Sequence, residues 1–152
     1  MSAGAAAHPN DEITIRRALP AEEAGRINLF YAGRGYMNFV DGDVAVYIAE
    51  HNGSIVGVVR LCREEGHAIL RTMHVHQDYR GQGIGRRLLE AFQEEIRAAD
   101  CYCIPFAHLV GFYGAIGFRR IHPEEAPSHL QERLREYLER GMDGIIMKRE
   151  RD

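Results

Sequence analysis

The stretch that decides the fold runs from residue 75 to residue 89, VHQDYRGQGIGRRLL. Gly81, Gly83 and Gly85 stand where a helix is about to begin. Glycine costs roughly 1 kcal/mol against alanine inside a helix, so a bare backbone must be needed there. The first N–H groups of a helix have no intrahelical partner, and the helix dipole favours negative charge beside them. Without side chains, a phosphate can approach those amides closely. The bland alternative is a tight strand-to-helix turn. Three glycines within five residues exceed what a turn needs, which favours a phosphorylated ligand. The spacing G-x-G-x-G is neither the G-x-G-x-x-G of a dinucleotide site nor a P-loop, since no Gly-Lys-Ser/Thr follows. The preceding chain also lacks the βαβ order of a dinucleotide fold.

Working outward, Ile84, Leu88, Leu89, Phe92 and Ile96 recur at helical spacing and form a core stripe after the glycines. Before them, HAILRTMHV (67–75) reads as a strand. REEG (63–66) reads as a turn, and VAVYIAEHNGSIVGVVRLC (44–62) as a hairpin about Asn52-Gly53. ITIRRAL (13–19) alternates like a strand, and Pro20 opens a helix with acids in its first turn. RGYMNFVDGD (34–43) reads as a loop or a short second helix. Downstream come a short strand CYCIPF limited by Pro105, a short helix AHLVGFYGAIG and a strand GFRRI. A helix over 128–140 follows, with Ser128 and Gln131 spaced as a capping box and Leu130, Leu134, Tyr137 and Leu138 as its apolar face. GIIMKRE closes as a strand. This order predicts an α/β fold with a mainly antiparallel front half.

The chain has 152 residues, 45% apolar and 27% charged, with a net charge of −3. That profile suits one soluble domain over residues 13–150, with 1–12 as a disordered tail or appended remnant. No basic field is present to hold a nucleic acid. No apolar run approaches the ~20 residues of a membrane span, and the first residues do not form a signal peptide. A cytoplasmic location is the expectation. Cys62, Cys101 and Cys103 read as free buried thiols, and the pair at 101 and 103 lacks a second Cys/His pair to complete a metal site.

Residues 75–89 closely resemble the acyl-CoA-binding motif of the GNAT acetyltransferases, R/Q-x-x-G-x-G/A after a strand ending in Val, with Arg80, Gly83 and Gly85 in the defining positions. FYGAIGF (112–118) resembles the family's F-Y-x-x-x-G-F segment. The element order agrees from residue 13 to about 122. The resemblance implies the GNAT fold, a mixed, mainly antiparallel sheet flanked by helices. It implies an N-acetyltransferase that moves acetyl from acetyl-CoA directly to a primary amine; the lack of a long acidic or basic groove signal in the sequence favours a small molecule over a protein as acceptor. A non-catalytic acetyl-CoA-binding module is the rival reading.

By this resemblance the pyrophosphate lies on the amides of Arg80, Gly81, Gln82, Gly83, Ile84 and Gly85. Arg86 or Arg87 adds charge there, or simply faces solvent. The main chain of Met73, His74 and Val75 pairs with the pantetheine arm, and one amide stabilises the thioester oxygen. Tyr113 protonates the leaving thiolate, a role suited to a phenol of ordinary pKa about 10. The positions two and four before Met73, which carry a base in some members, hold Arg71 and Ile69 and cannot serve. His74 alternates with Met73 and Val75 and should be a buried, hydrogen-bonded residue on the other face. Glu50, His51, Glu64, Glu65 and His67 read as solvated turn residues. Arg71, by alternation, shares the face of Met73. There it either clamps an acceptor carboxylate or makes an internal salt bridge. Tyr31, Tyr36 and Phe39 fall in the region that covers the acceptor, as pocket lining or as core. Family members often pair through the C-terminal segment, so the stripe of the 128–140 helix serves either a homodimer or its own core.

Overall fold

The computed structural model describes residues 12–35 and 44–152. Seven strands form one sheet in the order β1-β2-β3-β4-β5-β7-β6. These are β1 (Ile13–Arg17), β2 (Ala45–His51), β3 (Ser54–Glu64), β4 (His67–Val75), β5 (Cys101–Cys103), β6 (Arg119–Arg120) and β7 (Met147–Arg149). Only β4 and β5 pair in parallel; every other neighbouring pair is antiparallel. The helices are α1 (Pro20–Ala32), α2 (Ile84–Glu95), α3 (Val110–Gly114) and α4 (Ser128–Glu139). Residues 36–43, where a short second helix was one reading, lie outside the described residues, as do Tyr36 and Phe39.

Two-residue turns set the register of the front half. Asn52 and Gly53 have φ of 52° and 81°, and Glu65 and Gly66 have φ of 51° and 81°. Two positive φ values in succession give the turn whose twist matches paired strands. The second turn is therefore tighter than the REEG reading, and β3 continues to Glu64.

Helices cover both faces. On one face α2 buries the whole predicted stripe of Ile84, Leu88, Leu89, Phe92 and Ile96 against Ala45, Val59, Leu61 and Leu70. Each such side chain contributes roughly 1.5–3 kcal/mol by leaving water. α3 joins this side through Tyr113 and the loop after it through Ile116 and Phe118. On the other face α1 packs Ile27, Phe30 and Tyr31 on Val46, Ile48 and Val58. α4 packs Leu130 and Leu134 on Ile69, Tyr102 and Ile146. Its apolar stripe is thus largely spent on its own sheet, although Leu138 is exposed.

The start of α1 is held by charge. Glu23 accepts from the Leu19 N–H at 2.8 Å and pairs with Arg16 at 2.5 Å and Arg26 at 3.0 Å. The hydrogen bond from Arg16, then that from Leu19, holds the Glu23 carboxyl down at about 2. The capping box expected at Ser128 does not form. Ser128 is already inside the helix after Pro127, and Gln131 donates instead to the Ala126 carbonyl at 2.8 Å. A reciprocal cap sits one short 3₁₀ turn earlier, where Glu125 accepts from the His122 N–H at 3.0 Å.

Candidate active site

The site begins where the sheet comes apart. β4 and β5 pair only at Ala68↔Cys101 and Ile69↔Tyr102. Past Cys103 the chain bonds away from β4. Pro105 has no N–H to offer β4. Its carbonyl accepts from Ile145 N at 3.0 Å, and Ala107 N donates to the Asp143 carbonyl at 2.8 Å. A cleft of about 790 Å³ opens in the gap, lined by residues 69–75 of β4, the glycine loop, the start of α2, α3 and one side of α4.

At one end of the cleft lies the glycine loop. Gly81 and Gly83 have φ of 79° and 81°, and a Cβ on either would meet no protein atom within 4 Å. Glycine is needed there for backbone conformation, while the space above stays open for a ligand. Gly83 is the N-cap of α2, so the unpaired amides of the first turn begin at the cleft. Gly85 has a different job: a Cβ on it would stand 3.0 Å from Cζ of Phe112. The third glycine therefore docks α3 on α2. Arg80 and Arg86 line this end. Arg80 folds back to donate to the Val75 carbonyl at 3.0 Å, and its Nη2 lies 3.5 Å from His74 Nε2. Arg86 is exposed, with Glu90 at 3.5 Å. Arg87 is turned away, donating to the Ile13 carbonyl at 3.0 Å. Gln82, expected with its neighbours, does not line the cleft; its Oε1 is buried.

The middle of β4 is irregular. Val58 pairs with His74 and Arg60 with Arg71, so Thr72 and Met73 together oppose Val59. Thr72 takes φ of +48°. Such a bulge inserts one residue and shifts the strand's alternation. Leu70, Met73 and Val75 therefore face the α2 side. Ile69 and His74 face the α1–α4 side, His74 with its ring against Phe30 at 5.9 Å. Arg71 stands on this second face, opposite to Met73, which corrects the face read from simple alternation. His74 lies on the far side from Met73, as expected, but is half-buried and not fully buried. Burial, then the charges of Arg80 and Arg34, pulls its imidazole below the ordinary value. Tyr31 is core rather than lining: it is fully buried, and its hydroxyl donates to the Thr72 carbonyl at 2.7 Å.

At the far end Arg71 and Arg133 of α4 both line the cleft. Both pair with Glu64, Arg71 at 3.2 Å and Arg133 at 2.8 Å. Glu64 itself does not line it. Burial pushes its carboxyl up, but the bond from Arg133 and the charges of Arg133 and Arg71 outweigh that, and it stays below the usual range. Glu64 is thus an anchor, not the solvated turn residue expected. Arg133 was missed: a single Arg on an amphipathic helix carries no signal of its own.

Tyr113 is buried, lines the cleft and is held by edge contacts to Phe112 at 5.1 Å and Phe118 at 6.2 Å. Glu50, His51 and His67 do not reach the cleft. Glu50 pairs with Arg16 and Arg26, and His51 bonds the Tyr79 hydroxyl at 2.6 Å. No Asp or Glu is among the described residues that line the cleft. The three cysteines are buried and in no disulfide; desolvation pushes the Cys101 thiol up to about 12, which makes it a poor nucleophile.

This split sheet, with its glycine-loop helix and buried tyrosine, coincides with a family. Residues 42–120, just over half of the chain, match the acetyltransferase (GNAT) domain. The chain belongs to the GNAT acetyltransferase family and is an acyltransferase. The reading as a non-catalytic module is set aside. No curated protein matches it in sequence. Among solved structures it is similar to a GNAT-family acetyltransferase from Streptococcus pneumoniae, with 18% identity, 93% of this chain and 100% of that one covered, and a TM-score of 0.69. It is also similar to N-acetylglutamate synthase from Neisseria gonorrhoeae, complexed with coenzyme A and N-acetyl-glutamate, at 17% identity and a TM-score of 0.69. That match covers 92% of this chain but only 35% of the synthase, so this chain spans about a third of it. A third is the ribosomal-protein-S18-alanine N-acetyltransferase from Escherichia coli, at 17% identity, 91% and 93% coverage, and a TM-score of 0.63. At these identities the likeness establishes the fold. Among the described residues no helix is long and apolar enough to cross a membrane.

Proposed function

We propose that this chain transfers an acetyl group from acetyl-CoA to the primary amine of a small molecule by direct attack in a ternary complex. The observation that carries the reading is the contact of Gly85 with Phe112. It ties the phosphate-ready loop to the helix bearing Tyr113, so that both open into one cleft. The neighbour crystallised with coenzyme A and an N-acetylated amino acid supports it.

Acetyl-CoA would supply an activated acyl carbon on a thiol leaving group. The amides of Gly81 to Gly85, with Arg80 and Arg86, hold the pyrophosphate. The edge of β4 past Ile69, which β5 leaves unpaired, offers main-chain groups to the pantetheine arm. A main-chain N–H at the Thr72–Met73 bulge donates to the thioester oxygen as charge develops on it. The amine nitrogen bonds to the acyl carbon, the C–S bond breaks, and Tyr113 gives its hydroxyl proton to the sulfur. The proton lost by the amine passes to His74 or to water reaching bulk, and the same water returns a proton to the Tyr113 phenolate.

The test is thiol release from acetyl-CoA with a panel of amines, run on the wild type and Tyr113→Phe. The variant keeps the ring and removes one hydroxyl. Acetyl-CoA affinity should survive, and the chemical step should slow by roughly 10²-fold, the scale of a lost general acid. Normal turnover of Tyr113→Phe at every pH would remove Tyr113 from the chemistry. No amine-dependent release from the wild type would remove the reading itself.

A further inference from the structure

Four arginines line the cleft, with no carboxylate among the described lining residues to balance them. Arg80 and Arg86 stand at the glycine loop, where the proposed pyrophosphate would meet them. Arg71 and Arg133 stand on the cleft wall formed by β4 and α4, away from the glycine loop in the chain. They come from different elements and converge on the two oxygens of one carboxylate, Arg71 on Oε2 and Arg133 on Oε1 of Glu64. Two guanidiniums against one carboxylate leave a net positive charge at the wall of the cleft. His129, with Nε2 3.4 Å from Glu64 Oε1, adds to that charge whenever it is protonated. Each guanidinium has five N–H donors in a rigid fork, and Glu64 takes only part of them. Glu64 sits behind the wall and fixes both forks from the rear.

We propose that Arg71 and Arg133 form a two-jawed carboxylate clamp, and that the acceptor is a small amine that also carries a carboxylate. This rests on the acetyl-transfer reading, which puts the reacting carbonyl at Met73. Arg71 precedes Met73 by two residues, at most roughly 7 Å along a strand. A small acceptor that carries both an amine and a carboxylate would therefore engage the clamp and the reacting carbonyl from one stretch of the cleft wall. The bulge at Thr72 is what brings the arrangement about. It turns Met73 toward the α2 face and leaves Arg71 on the face where α4 delivers Arg133.

The experiment compares free amino acids with their carboxamides, both as acceptors in thiol release and as titrants in calorimetry on the CoA-saturated protein. The amides keep the amine and lose the charge. At least one acid should exceed its amide in kcat/KM by roughly 10- to 100-fold, the worth of charge-assisted hydrogen bonds. Arg133→Gln and Arg71→Gln should each erase most of that ratio while leaving the KM for acetyl-CoA nearly unchanged. Should either unfold, Arg133→Lys and Arg71→Lys keep a charge on Glu64 but lose the fork, and the ratio should fall several-fold. Amides turning over as well as acids would overturn the clamp and leave acetyl transfer standing. So would an acid preference that persists in both Arg variants. Acids that bind tighter than amides, yet release no thiol, would keep the clamp and overturn acetyl transfer. Neither binding nor turnover of any acid would overturn both.

Discussion

The two ends of the cleft are built from different materials. The glycine-loop end is main chain: five consecutive residues, two of them with φ near +80° and open space above them. The Arg71–Arg133 end is side chain: three charged groups from β3, β4 and α4, brought together across a chain separation of 69 residues between Glu64 and Arg133. Main-chain donors recognise any phosphate of the right shape; exchanging a side chain removes none of them, although a Cβ added above them can block the approach. Side-chain forks can be exchanged one at a time. One end is therefore suited to a ligand common to a whole family, and the other to a ligand particular to this protein.

The strongest way to break this contrast is at Gly83. Alanine there must hold φ of 81°, which L-residues adopt at a cost of roughly 1–2 kcal/mol, and its Cβ would project into the open space above the loop. Gly83→Ala should weaken acetyl-CoA binding by roughly tenfold or more, measured by calorimetry, while the acid-over-amide preference persists at saturating acetyl-CoA. Equal affinity in the folded variant would reduce the loop to a turn.

A smaller effect is expected between the two ends. Tyr31→Phe removes the hydroxyl that donates to the Thr72 carbonyl, and losing such a hydrogen bond costs about 0.5–1.5 kcal/mol. The bulge should loosen. Tm should fall by a few degrees and kcat by several-fold, with acetyl-CoA affinity spared. A fall in Tm with kcat intact would show that the hydroxyl only holds the core together.

The smallest effect lies outside the cleft and serves as its control. Glu23 is held down at about 2, against an ordinary value of 4.5. Because its folded value is depressed, its contribution is complete above about pH 4.5 and is lost as the pH falls toward 2. Glu23→Gln should therefore lower Tm slightly at pH 7, and the gap to wild type should close below pH 4. Acceptor selectivity should not move. A Tm gap independent of pH would mean that Glu23 acts through packing alone.

What the sequence disclosed follows the same division. The loop, the α2 stripe and the Asn52-Gly53 turn are contiguous, and each is written in local residue chemistry. The bulge is not. Thr72 carries no glycine or proline to mark a break, so period-two alternation put Arg71 beside Met73 when it lies on the other face. Glu64 looked like a turn residue because two arginines distant in sequence supply what makes it an anchor. Ser128 and Gln131 had capping-box spacing, but Pro127 had already begun the helix. Gly85 was legible as a glycine and not as a packing site, since Phe112 arrives from 27 positions away.

The parting of β4 from β5 has a thermodynamic consequence. Past Cys103 the Pro105 carbonyl and the Ala107 N–H are already committed to residues 143–145, and Pro105 has no N–H to offer β4. These commitments hold the two strands apart beyond Ile69 and Tyr102, so no strand pairing need be broken there when a ligand arrives. Association is spared the free energy of prising open a sheet, and the groove is preorganised for an extended guest. That guest would meet β4 as a neighbouring strand does, along its edge.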